Sequence, residues 1–298
     1  MLNTVRLSEF LLLLVAIVWG TSYGVAKEAI FYYPVLGFLA IRFIMTALIL
    51  SPSLFRLGEG QLKQVLLAGI PLGTILLAIF IAETYGLSYT SASNAAFLIS
   101  TCVVLTPVVE FFVLGTRPTT NVLLAIFMSL LGAFLVSTGG QFSFNAGDFY
   151  ILIAAFFRAC MVTMTKRMMR NSEVSNLALT TVQTAVVGFG SLAIGAIVLP
   201  AGLPALPTAI GFWVGTVYLV AFCTLFAFFV QNFAVRNTSP TRVSLLMGTE
   251  PVFGALFAVV WLQEPTTATM WVGGALIVIA SIWGTLAPAK PVPSAVGT

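Results

Sequence analysis

Charge is what this sequence has least of: 7% of its 298 residues are Asp, Glu, Lys or Arg, where a water-soluble domain carries about 25%. So few charges cannot cover a water-facing surface, and lipid must be the solvent. Histidine is absent altogether, which removes the usual neutral-pH proton shuttle and the commonest metal ligand. Cysteine is scarce: Cys102, Cys160 and Cys223 stand far apart inside apolar runs, with no CxxC or Cys/His cluster to suggest zinc or redox chemistry. Paired carboxylates, a nucleophile elbow and an Asp-rich metal motif are also missing, so an integral membrane enzyme is not expected. Neither is a cofactor, a metal or a nucleic-acid partner.

What is present is hydrophobic: 59% of residues, with a mean hydropathy of +1.08. After a short basic start, Met1 to Arg6, the first apolar run passes Trp19 and Tyr23 without a small-residue cleavage pattern. It reads as an uncleaved first span. At roughly 20 residues per crossing, ten all-α spans are expected near 8–27, 34–54, 64–88, 92–115, 120–138, 148–168, 175–199, 210–235, 240–262 and 266–287. Pro34, Pro118, Pro240 and Pro265 stand at span starts, and Pro200, Pro204 and Pro207 fill a loop. The Pro/Ala/Gly-rich tail 288–298 is expected to be disordered.

Ten spans put both termini on one side. That side then holds Arg6, Arg56, Lys63, Arg117, Lys166, Arg167, Arg170, Arg236, Arg242 and Lys290, and the other holds Lys27. By the positive-inside rule both termini are cytoplasmic.

The two halves, 8–138 and 148–287, resemble each other weakly. The stretch Trp19-Gly20 to Lys27 aligns with Arg158-Ala159 to Lys166, Thr90-Ser91 aligns with Thr238-Ser239, and Thr101 aligns with Thr249. Pro107 matches Pro251, and the loops Gly115–Thr120 and Gln263–Thr267 match as well. Five spans per half is an odd number, so the second half would enter from the opposite side, as an inverted repeat. That architecture suits alternating access around a site at the midplane.

Several of these residues are familiar together. The Trp19-Gly20 pair, Arg42-Phe43, the Thr-Ser-Ala-Ser-Asn run at 90–94 and Glu250-Pro251, set in a doubled five-helix unit, resemble the EamA branch of the drug/metabolite transporter superfamily. Within it the chain looks most like YddG-type exporters of aromatic and other neutral amino acids. The resemblance implies a bacterial inner-membrane exporter of small metabolites. It also implies a central cavity lined by spans 1, 3, 4, 6, 8 and 9, with spans 5 and 10 at the periphery. Arg158 departs from the pattern, standing where the second repeat often has tryptophan.

A charge at mid-bilayer costs about 2.5–3.5 kcal/mol on insertion scales, so such residues should face a partner or a wet cavity. Arg158 could hold a substrate carboxylate bidentately or pair with a carboxylate on a neighbouring helix. Glu250, before Pro251, could hold a substrate ammonium, carry a coupling proton, or tie a kinked helix to its neighbour. Glu83 and its repeat counterpart Gln231, with Asn232 beside it, could line two sides of one cavity or join helices. Arg42 reads first as structural, because the family resemblance implies an arginine shared across diverse substrates. Glu110, close to Arg117, reads as a solvated pair. Trp19 and Tyr23 lie one turn apart on one face, fit to stack on an aromatic solute or to pack. Thr101 and Thr249 are expected as small polar linings, and Gly20, Gly24 and Gly248 as bending points.

Two other readings stay open: another solute class on the same fold (a sugar phosphate, a nucleotide sugar or a drug), and a membrane protein that does not transport. A sugar phosphate or nucleotide sugar would call for more cavity cations than Arg42, Arg158 and Arg242 supply. A non-transporting membrane protein would leave the repeat and the midplane polar residues without a role.

Overall fold

A computed structural model describes residues 2–138, 145–170, 172, 174–199, 202–261 and 267–286. Among them there is no strand. The sequence expectations about Pro200, Pro265, the rest of the 263–266 loop and the tail 288–298 lie outside the described residues.

The helices run in chain order as α1 (Leu2–Tyr32), α2 (Val35–Leu50), α3 (Glu59–Tyr89), α4 (Ala92–Ser100), α5 (Cys102–Leu114), α6 (Thr120–Thr138) and α7 (Ala146–Met169). Then come α8 (Asn176–Val198), α9 (Ile210–Tyr218), α10 (Ala227–Asn237), α11 (Pro240–Met247), α12 (Glu250–Trp261) and α13 (Ala268–Leu286). A π-helical stretch, Leu219–Phe226, joins α9 to α10. Among the described residues seven apolar helical segments are long enough to cross a membrane, α4–α5 and α9–α10 each counting as one, and α6 and α13 are shorter apolar helices. Phe31, Phe55 and Ile197, each more than four-fifths exposed, are large apolar side chains that water would penalise and acyl chains would not. The chain is a multi-pass membrane protein.

Two consecutive helix pairs are separated by breaks at aligned residues. α4 gives way to α5 at Thr101, and α11 to α12 at Gly248 and Thr249. At each break the threonine hydroxyl turns back to a carbonyl three residues earlier: Thr101 Oγ1 to Leu98 O at 2.6 Å and Thr249 Oγ1 to Leu246 O at 2.7 Å. The backbone amides of both threonines make the same i→i−3 bond, a local tightening from α to 3₁₀ spacing. The starts of these broken pairs match too. Ser91 Oγ accepts from Asn94 N, and Ser239 Oγ accepts from Arg242 N, each satisfying a donor that the first helical turn leaves open.

Glycine sets the closest helix approaches. A Cβ on Gly20 of α1 would stand 2.7 Å from Gly254 N and 2.8 Å from Glu250 O of α12. The glycine lets α1 lie directly on the turn that carries Glu250. Gly20 was expected as a bending point, yet α1 runs through it unbroken; its role is contact. Likewise α6 meets α13 where Gly132 and Gly273 face each other's carbonyls, each 2.6 Å from the other's hypothetical Cβ. Other large interfaces pair α2 with α8 and α3 with both α7 and α8.

Candidate functional site

Between these helices lies a narrow cavity of about 40 Å³, room for a few waters at about 10–15 Å³ each. α1 gives it Trp19 and Tyr23, α2 gives Arg42, and α3 gives Phe80 and Glu83. From the second half of the chain α7 gives Arg158, α10 gives Phe228 and Gln231, and α12 gives Glu250. Two arginines and two glutamates therefore share one largely apolar chamber.

The four charges are held differently. Arg158 Nη2 donates to Glu250 Oε2 at 3.1 Å, with both residues buried, and the guanidinium lies 4.4 Å from the centre of the Trp19 ring. The Tyr23 hydroxyl lies beside the same Glu250 carboxylate. Trp19 is itself fixed, because its indole N–H donates to the Cys223 carbonyl at 2.9 Å. Arg158 thus has an anion on one side and an aromatic face on the other.

Arg42 is seated by a different device. Its Nε donates to Thr224 Oγ1 at 2.9 Å, and that hydroxyl donates in turn to Leu219 O, five residues back. The π-helical register of Leu219–Phe226 makes both Thr224 Oγ1 and the Cys223 carbonyl available to other helices, a common use of such turns. The Arg42 guanidinium carbon lies 5.2 Å from the ring centres of both Phe43 and Phe80. No carboxylate lies within ion-pair distance of Arg42 among the described residues. Glu83 feels Arg158, Glu250 and Arg42 electrostatically, but among the described residues it has neither a hydrogen bond nor an ion pair. Gln231 leaves its Oε1 buried without a partner.

An aromatic wall links the two arginines. Phe43 packs on Phe80 at 4.5 Å between ring centres, Phe80 on Phe228 at 5.8 Å, and Phe228 on Trp19 at 5.7 Å. These tilted contacts are the favoured aromatic geometry. The wall runs from the Phe43/Phe80 clasp around Arg42 to the Trp19 face under Arg158.

Of the residues picked out from sequence, the structure brings Trp19, Tyr23, Arg42, Glu83, Arg158, Gln231 and Glu250 to the cavity. Three lie elsewhere. Asn232 points to α8, donating to Thr180 Oγ1 and Gln183 Oε1 at 2.9 Å each, while Thr101 and Thr249 are turned onto their own helix breaks. The fourth span supplies no lining residue and the second supplies Arg42, which differs from the lining that the family resemblance implied. The expected solvated pair of Glu110 with Arg117 is a correction. Glu110 is buried and its Oε2 accepts from the Thr241 amide at 2.9 Å and from the Thr241 hydroxyl. Arg117 instead stands over Phe111. A carboxylate beside the first turn of α11 meets open amide donors and the positive end of the helix dipole, a better partner than an exposed cation. Sequence reading missed Phe80, Phe228 and Thr224. Phe228 stands three residues before Gln231, on the same helical face, which was the available signal.

The EamA-like transporter family matches this chain twice, over residues 6–138 and 145–286. An uncharacterized transporter of Archaeoglobus fulgidus is 29% identical over 282 residues, covering 91% of this chain and 83% of that protein. A probable amino-acid metabolite efflux pump of Salmonella typhimurium is 25% identical, with 93% of this chain and 94% of the pump aligned. A protein of known crystal structure superposes over 97% of this chain and 99% of its own, with a TM-score of 0.76 at 16% identity, and so shares the fold. With both halves of the sequence matched, the chain belongs to the EamA-like transporter family.

Proposed function

We propose that this membrane transporter is a ten-span exporter of small neutral or zwitterionic metabolites, amino acids with aromatic or apolar side chains foremost. It works by alternating access in a bacterial inner membrane with both termini in the cytoplasm. The observation that carries the reading is the composition of the cavity: two arginines balanced by two glutamates along an aromatic wall. A solute with no net charge enters such a chamber without adding a charge in low dielectric, where an unbalanced one is costly. A polyanion such as a nucleotide sugar would meet two carboxylates. The amino-acid metabolite efflux pump among the relatives supports the substrate class.

The repeat supports the mechanism. One family unit matches each half, both halves line the cavity, and the broken helices fall at aligned threonines. Discontinuous helices near the midplane are how repeat transporters build their sites. Two measurements test the reading. Purified protein in liposomes should show counterflow of L-phenylalanine or L-leucine, and no flux of any amino acid sinks the substrate class. Cysteines introduced at the exposed positions Arg56 and Leu206 should label from opposite faces of the membrane. Labelling from one face removes the inverted topology.

A further inference from the structure

On the reading that the solute is an amino acid, we propose that Arg42 and Glu83 are the two poles that grip it. The Arg158–Glu250 pair is then a strut that braces the cavity without holding the solute's charges. The four charged residues line one chamber, yet they divide cleanly. Arg158 and Glu250 complete each other at 3.1 Å. Arg42 and Glu83 sense each other's charge but are not bonded to one another or to any other charged group among the described residues. Two opposite charges left open in one apolar cavity call for a ligand that brings the complement of each.

Arg42 is pre-set for its half of that task. Thr224 holds Nε and the Phe43 and Phe80 rings flank the guanidinium, so the fork is braced on three sides. Its four terminal N–H groups make no hydrogen bond among the described residues. Two parallel N–H groups match a carboxylate. Opposite in charge, Glu83 is an open acceptor, and the unpartnered Gln231 Oε1 is a second acceptor in the same cavity. An ammonium has three donors and can serve both. Glu83 and Gln231 are repeat counterparts, so the ammonium would sit where the two halves of the chain meet. The Phe80–Phe228–Trp19 wall then takes an apolar side chain. A simple amine leaves Arg42 open and a simple acid leaves Glu83 open. Unpaired buried groups of this kind give strong discrimination against an analogue that lacks one pole.

The test is a binding series on the purified full-length transporter in detergent, read by isothermal calorimetry and thermal stabilisation. The probes are L-phenylalanine and L-leucine, their matched amines (phenethylamine, isoamylamine) and their matched acids (3-phenylpropionate, 4-methylpentanoate). Wild type is expected to bind the amino acid at least about tenfold more tightly than either one-pole analogue. Arg42→Gln should erase the advantage over the amine and Glu83→Gln the advantage over the acid, each while leaving the other advantage in place. Arg42→Lys, which keeps the charge and loses the fork, should fall between wild type and Arg42→Gln, and it serves if Arg42→Gln does not fold. If Arg42→Gln or Arg42→Lys keeps the wild-type preference, or if Arg158→Gln is the variant that loses it, the poles are misassigned. If wild type binds no amino acid, the substrate class fails and the poles fail with it, a result distinct from misassigned poles.

Discussion

The two ends of the helical bundle carry matched residues, and their matched contacts differ in kind and in burial. The spacing that sets Lys27 against Lys166 also sets Glu9 against Asp148. The spacing that sets Ser91 against Ser239 also sets Asn94 against Arg242. At the end of the bundle where α1 finishes, Lys27 Nζ donates to the Thr90 carbonyl at 2.7 Å. There Asp148 Oδ1 accepts from Thr90 Oγ1 at 2.7 Å and from Asn94 Nδ2 at 2.6 Å. At the end where α1 begins, Lys166 Nζ donates to the Arg236 carbonyl at 2.8 Å. The counterpart of the Asp148–Asn94 bond is there an ion pair, Arg242 with Glu9, at 3.6 Å. Asp148 is fully buried, whereas the Arg242 and Glu9 side chains are 18% and 25% exposed. One ladder of positions has become a hydrogen-bonded latch on a fully buried carboxylate at one end and a long, part-exposed ion pair at the other. Formal charge is a poor guide to strength: of the two matched contacts the full ion pair is expected to be the weaker, because water competes with it.

The hardest test of that contrast removes Asp148. Its Oδ2 also accepts from the Asn145 amide at 2.7 Å, completing the N-terminal cap of α7. Asp148→Ala therefore strips acceptors from Thr90, Asn94 and Asn145 together. The expected loss is about 3 kcal/mol, from charge-assisted hydrogen bonds and a cap, read as a fall in melting temperature in detergent. A variant that melts with the wild type would show that the latch contributes nothing and would end the comparison.

A middle-sized effect is expected at the other end, where Glu110 and not the ion pair is the strong contact. Glu110→Ala leaves the buried Thr241 amide and hydroxyl without an acceptor, at about 2 kcal/mol. Glu110→Gln, which keeps one acceptor oxygen, should recover part of that. If Glu110→Ala costs less than Glu9→Gln, the ranking of contacts at this end is reversed.

The sequence made the scaffold of both ends legible and left their pairings hidden, for one physical reason. Caps, breaks and repeats are local. Ser91 and Ser239 cap the helices they precede, and aligned Thr101 and Thr249 mark aligned breaks. Which side chain meets which depends on helix rotation and crossing, which hydropathy does not encode. Asn94 and Asp148 are 54 residues apart and Arg158 and Glu250 are 92 apart. Arg158 was left open between solute anchor and ion pair, and only the placement of α12 against α1 at Gly20 supplies Glu250 as its partner. The same ignorance of rotation put Thr101 and Thr249 in the cavity and left Phe80 out of it. Glu110 was misread because nearness in sequence suggested Arg117, while the open amides of α11 lay across an interface. The π-helical register that seats Arg42 on Thr224 has no signature in an unbroken apolar run.

The smallest expected effect sharpens the contrast most, because it separates charge from burial. Glu9→Gln removes the Arg242–Glu9 ion pair while keeping shape and hydrogen-bonding capacity. At 3.6 Å and in contact with water, the pair should be worth less than about 1 kcal/mol. Raising salt shortens the Debye length from about 10 Å at 0.1 M to about 3 Å at 1 M. The small difference in melting temperature between wild type and Glu9→Gln should therefore shrink toward zero in 1 M salt. The difference between wild type and Asp148→Ala should persist, since the carboxylate is fully buried and its hydrogen bonds are short. If both differences shrink in parallel, the two ends are electrostatically alike and burial is not what distinguishes them. If the Glu9 difference persists in high salt, the pair is drier and stronger than its geometry indicates, and the end where α1 begins is latched as firmly as its counterpart.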